Sequence, residues 1–73
     1  MKDKYYLAEL FGKNVKKYRE KENISVEELG QKSNISEKYL KRIEKGMATG
    51  VKFTQAIRIA KSLGIELYKL FEN

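Results

Sequence analysis

Apolar residues recur at intervals of three and four along almost the whole chain, and no stretch alternates long enough to read as a strand. That period belongs to helices that pack by one face. Leu7, Phe11, Val15 and Tyr18 step by four, four and three, and Leu10 widens the stripe. Punctuation cuts the pattern into five pieces. The first helix should end near Asn23, which tolerates a left-handed C-cap. Ser25 and Glu28 read as a capping box that opens a short helix from Val26 to Lys32, with Val26 and Leu29 as its apolar contacts. Gly30 inside that helix costs about 1 kcal/mol relative to alanine. Close approach of another helix explains it, and bare looseness is the alternative. Ser33 and Asn34 make a turn, and Ile35 points back into the core. Ser36 caps a third helix, Glu37 to Lys45, with Leu40 and Ile43 inside and Gly46 at its end. Met47 to Val51 is a loop. A fourth helix runs from about Lys52 to Leu63 and stops at Gly64. Ile65, Leu67, Leu70 and Phe71 form a last short helix.

Helices this short are marginal alone. They need a common core, expected from Phe11, Val15, Leu29, Ile35, Leu40, Ile43, Phe53, Ile57, Ala60, Leu63 and Leu70. The expected fold is a compact all-α arrangement of five helices, one domain over residues 1–73. Cysteine, histidine and proline are all absent. That excludes disulfide staples, zinc-finger patterns, thiol catalysis and histidine general-base chemistry. There is no P-loop and no clustered carboxylate pair. The chain therefore reads as a non-enzyme with no metal and no cofactor. The segment Met1 to Tyr6 is charged and leads into no apolar signal region. No run approaches the ~18 apolar residues that span a bilayer. The expected location is cytoplasmic, with no membrane partner.

Charge narrows the partner. Sixteen Lys+Arg against ten Asp+Glu give +6. Such a balance favours a polyanion, nucleic acid before a membrane surface. Residues Ser36 to Lys52 hold five basic and two acidic residues, a local +3. The segment Val26 to Lys45 is a helix, a tight turn and a second helix, which is helix-turn-helix spacing. The second helix carries Ser36, Glu37, Lys38, Lys41, Arg42 and Lys45 at its start and on its outer face. A capped helix start offers free amides, and a basic face can dock against phosphates in a major groove. Lys13, Lys16 and Lys17 on the first helix either approach the DNA backbone or form a solvated face. Arg19 and Glu44 lie among apolar neighbours and can pair if the first helix crosses the end of the third.

These residues resemble the Cro/C1-type helix-turn-helix family of phage repressors and their bacterial relatives. The matching stretches are Phe11-Gly12, Val15 to Arg19, Ile24 to Gly30, Asn34 to Ser36, Tyr39 to Gly46, Ile59 to Gly64 and Leu70-Phe71. They cover roughly residues 10–71. The resemblance implies a lambda-repressor-like fold with helices 2 and 3 as the helix-turn-helix, and a sequence-specific regulator of transcription, a repressor, that reads double-stranded DNA. It implies that Arg19 pairs with Glu44. It implies base reading by Glu37, Lys38 and Arg42, with Lys41 a weaker candidate. Backbone contacts would come from Ser25, Ser36, Lys45 and Lys52, with Lys17 added from the charge map. It further implies a homodimer on a palindromic operator, paired through Ile65, Leu67, Tyr68 and Phe71.

The chain departs from the family pattern in several places. Val26 stands where glutamine commonly touches a phosphate. Gly30 stands in place of alanine, and Asn34 in place of glycine. Val51 replaces a proline that often opens helix 4. Glu37 is an acid where glutamine or a base is usual. It either accepts from a cytosine N4 amine or weakens DNA binding by repelling phosphate. Tyr5 and Tyr6 lie before the match, as an amphipathic helix start or a surface for a partner. The rival function is a protein-interaction module, or an antitoxin-like regulatory subunit, whose DNA contact is secondary.

Overall fold

A computed structural model describes residues 5–73. The expectations for Met1 to Lys4, including the charged N-terminus and the start of the domain, lie outside the described residues. Four α-helices and one 3-10 helix follow in order: α1 Tyr6–Lys21, α2 Val26–Ser33, α3 Glu37–Glu44, α4 Phe53–Leu63 and the 3-10 helix Leu67–Phe71. The described residues hold no strand. The architecture is an all-α bundle of the lambda-repressor kind.

Local chemistry sets the boundaries. Asn23 adopts φ 57° just past α1, and Asn34 adopts φ 58° as the C-cap of α2. Asparagine is among the few side chains at ease there. Ser25 Oγ accepts from the Glu28 amide at 3.0 Å, and the Glu28 carboxylate accepts from the Ser25 amide at 2.9 Å. Both halves of the capping box are therefore made. Ser36 Oγ accepts from the Tyr39 amide at 3.1 Å and opens α3. Lys52, the residue before α4, has no acceptor in its side chain. Gln55 Oε1 instead takes the Lys52 amide at 2.9 Å.

The core holds Phe11, Val15, Leu29, Ile35, Leu40, Ile43, Ala48, Ala56, Ile59, Ala60, Leu63 and Leu70. Two expected core members are corrected. Phe53 is 69% exposed. It lies on the inner stripe of α4, but one turn before Ala56, the first buried residue of that helix. Ile57 is only half-buried, and fully buried Ile59 takes its place. At about 100° per residue, the stripe Ala56, Ile59, Ala60, Leu63 puts Ile57 on its flank. Leu7 overhangs α1 in the same way and is 60% exposed.

α1 and α3 meet closely because Gly12 has no side chain. A Cβ there would collide with the Ile43 carbonyl oxygen. A Cβ on Gly30 would lie 2.7 Å from the Ile35 carbonyl oxygen and 3.6 Å from Leu40 Cδ1. Close approach, not looseness, is therefore the reason for glycine inside α2. Two polar side chains bind the elements together. Buried Asn14 donates to the carbonyls of Leu70 at 3.0 Å and Glu72 at 2.8 Å. Arg58 Nε on α4 donates to the Ser33 carbonyl at 3.0 Å and satisfies an acceptor at the end of α2.

Candidate nucleic-acid interface

The candidate face is built by α3. Leu40 and Ile43 are fully buried and pin one side of this eight-residue helix. The opposite side then has to face solvent. Glu37, Lys38, Lys41, Arg42 and Lys45 are exposed there and line one open depression. Four cations and one carboxylate are thus brought together. Lys41 Nζ lies 3.2 Å from Glu37 Oε2, and both side chains are about half exposed. Such an i,i+4 pair adds at most about 0.5 kcal/mol to stability. Its larger effect is on the field: the acid at the head of α3 has a cation beside it.

Three helix starts surround this face in the chain. Ser25, Ser36 and Lys52 precede α2, α3 and α4, and all three are exposed. The serine oxygens are engaged as caps, yet each hydroxyl keeps its proton to donate. The amides of the first two residues of each helix have no intrahelical partner. Val26, at the glutamine position of the family, is half-buried against the core. It exchanges a phosphate donor for packing.

Lys17 stands apart. Arg19 and Gly12 mark the side of α1 that touches α3. Lys17, two residues before Arg19, points about 160° away from it around the helix. Its ammonium sits 5.2 Å from the centroid of the Tyr18 ring. It does not line the depression that the α3 residues form.

A bidentate pair locks α3 to α1. Arg19 Nε donates to Glu44 Oε2 at 2.7 Å and Arg19 Nη2 to Oε1 at 3.0 Å, while Nη1 donates to the Ile24 carbonyl at 2.8 Å. The Glu44 hydrogen bond is the main cause that raises the Arg19 pKa, opposed by burial and aided by the charges of Glu44 and Glu20.

The four residues expected at a dimer face divide in two. Ile65 and Leu67 are half-buried against their own core. Tyr68 and Phe71 are 58% and 42% exposed, and the Phe71 ring lies 5.3 Å from that of Phe11. Sequence reasoning missed Gly12, Asn14 and Arg58 as residues that hold the interface in place. Asn14 carried a signal, since it falls three after Phe11 and four before Tyr18, on the inner face. Arg58 carried none.

Comparison with known proteins agrees with this geometry. A family model described as helix-turn-helix matches residues 15–70. The HTH-type transcriptional regulator SlrR of Bacillus subtilis (strain 168) is 29% identical over 63 residues, covering 86% of this chain. The chain spans 41% of that regulator's length. Among solved structures, the restriction-modification controller protein C.AhdI from Aeromonas hydrophila superposes with a TM-score of 0.83 at 26% identity, over 88% of this chain and 96% of that one. The hypothetical transcription factor NHTF from Neisseria gives 0.86 at 21% identity over 99% and 82%. The clp gene regulator ClgR from C. glutamicum gives 0.81 at 23% over 88% and 82%; these last two speak for the fold alone. With its two capped helices, the αL turn at Asn34 and a family match over most of its length, the chain belongs to the Cro/C1-type helix-turn-helix family of DNA-binding domains.

Proposed function

We propose that this domain regulates transcription, as a repressor in the cytoplasm, by occupying a specific site in double-stranded DNA. The observation that carries the reading is the outer face of α3: four cations and one acid in a single exposed depression on a helix whose other side is fully buried. In this reading α3 enters the major groove. Arg42 and Lys38 donate to base acceptors, Glu37 accepts from a cytosine amine, and Lys41 steadies Glu37 while adding a weaker donor. Ser25, Ser36, Lys45, Lys52 and the nearby first-turn amides contact phosphates and set the register. Lys17 on α1 would add a further backbone contact from outside the α3 depression.

Two copies would bind a palindromic operator as a homodimer, and no cofactor takes part. The regulator SlrR and the controller C.AhdI, by what their names state, are in keeping with this role. The test is selection of bound sequences from random DNA at fixed salt. A half-site recovered twice with two-fold symmetry supports the reading. Enrichment of no sequence, with binding that does not fall as salt rises, would favour a protein-interaction module instead.

A further inference from the structure

The exposed side of α3 is chemically one-sided. Its depression is lined by Glu37, Lys38, Lys41, Arg42 and Lys45, so it offers four donor-only cations and one acceptor-only carboxylate. It holds no amide side chain and no apolar one. Tyr39, the aromatic of this helix, packs against the core, and the exposed amides Gln31 and Asn34 belong to α2 and its cap. The two ion pairs among the described residues, Arg19 with Glu44 and Glu37 with Lys41, leave the side-chain donors of Lys38 and Arg42 uncommitted. We infer that the half-site under α3 is a run of G·C pairs, in which Lys38 and Arg42 each take a guanine and Glu37 takes a cytosine.

The base edges decide between the pairs. Guanine shows N7 and O6 side by side in the major groove, two acceptors that one guanidinium or ammonium can share. Adenine sets an amine donor beside its N7, and that donor repels a cation. Thymine shows a single acceptor, O4, beside a methyl group. The side chains that suit an A·T pair are Asn or Gln for adenine and an apolar group for the thymine methyl. The depression has neither. The carboxylate narrows the choice further. Cytosine N4 is a donor with no acceptor next to it on its own base, whereas the adenine amine adjoins N7, whose lone pair repels an acid. An acid at the head of α3 therefore favours cytosine over adenine, and the acceptors of guanine and thymine repel it. Spacing permits all three contacts. Glu37 and Arg42 are separated by about 7.5 Å of helix rise, close to two base-pair steps of about 3.4 Å. Lys41 Nζ, 3.2 Å from Glu37 Oε2, steadies the carboxylate and lessens its repulsion from phosphate.

The inference deepens the operator reading and rests on it. The experiment uses the full chain at one stated salt concentration. Selection from random DNA should return a half-site whose read positions are G·C pairs. In titrations on that site, 7-deazaguanine, which lacks N7, should weaken binding about tenfold or more at the guanines read by Lys38 and Arg42. Inosine at the same positions keeps both N7 and O6 and should cost less than about threefold. In Arg42→Ala the 7-deazaguanine penalty should vanish at one guanine and persist at the other, which a loosened fold would not produce. In Glu37→Gln, exchanging the cytosine for adenine, with its partner base, should cost less than in the unchanged chain, because an amide suits adenine N6 and N7. Both side chains are exposed, and melting curves check that each variant folds. A half-site with A·T pairs at the read positions overturns the inference and leaves the operator reading standing. So does a 7-deazaguanine site bound as tightly as the natural one, or an inosine penalty as large as that of 7-deazaguanine, which would put the reading in the minor groove. Recovery of no sequence refutes the operator reading itself, and the inference with it.

Discussion

Arg19 and Glu44 face each other across the junction of α1 and α3 in a two-pronged pair at 2.7 and 3.0 Å, with side chains only 13% and 8% exposed. The third guanidinium bond, to the Ile24 carbonyl, ties the α1–α2 connection into the same knot. Removing one partner leaves a charge with little water around it. Glu44→Ala or Arg19→Ala should therefore cost about 2–4 kcal/mol, read as a melting temperature lower by roughly 10 °C or more. The joint change Arg19→Met with Glu44→Leu should recover much of that loss, because no lone charge remains. The raised Arg19 pKa fixes the sign of the pH dependence. Its contribution is complete below the ordinary arginine range and is lost only as pH climbs above it, so Arg19 should add no slope to stability between neutral pH and about pH 9. A melting series over that span, comparing the chain with Arg19→Met, checks this.

Gly12 and Gly50 give opposite expectations for the same substitution. A Cβ on Gly12 would strike the Ile43 carbonyl, which is backbone and cannot rotate away, whereas a Cβ on Gly50 meets nothing within 4 Å. Gly12→Ala should force α1 from α3 and destabilise by about 1–3 kcal/mol. Gly50→Ala should stay within about 0.5 kcal/mol of the unchanged protein. Urea unfolding of both variants makes the comparison.

Asn14 is a buried amide that holds the chain's last turn by two carbonyls. Asn14→Ala removes both donors and leaves acceptors that must find water. The expected cost is about 1–3 kcal/mol. Hydrogen exchange should locate it: amides of residues 67–71 should exchange faster, while those of α2 and α3 keep their protection relative to global unfolding.

Arg42 and Lys52 are both exposed cations, and the proposed function gives them different work. Arg42→Ala should remove about 1–3 kcal/mol from binding to the selected half-site and little from scrambled DNA. Lys52→Ala should weaken both alike and lower the salt slope by about one. Equal losses on both sequences for Arg42 would remove it from the base-reading group. Glu37→Gln discriminates further. If Glu37 accepts from cytosine, affinity for the selected site falls. If it merely repels phosphate, affinity for every sequence rises.

Chain local in sequence determined much of this protein. The caps at Ser25 and Ser36, the positive φ at Asn34 and the 3.6-residue period act within one turn of helix, and they divided the chain and turned Lys38, Lys41 and Arg42 outward without reference to any partner element. What the period cannot carry is where a covering neighbour stops. Phe53 and Leu7 lie on inner stripes by spacing, yet both project past the end of the core, because burial depends on the length of the opposing helix as well as on the face. Ile59 displaced Ile57 by a rotation of α4 smaller than its apolar face is wide. The contact of Gly12 with Ile43 and the reach of Asn14 to Glu72 join residues 31 and 58 positions apart, so only the crossing of α1 over α3 and over the last turn could decide them.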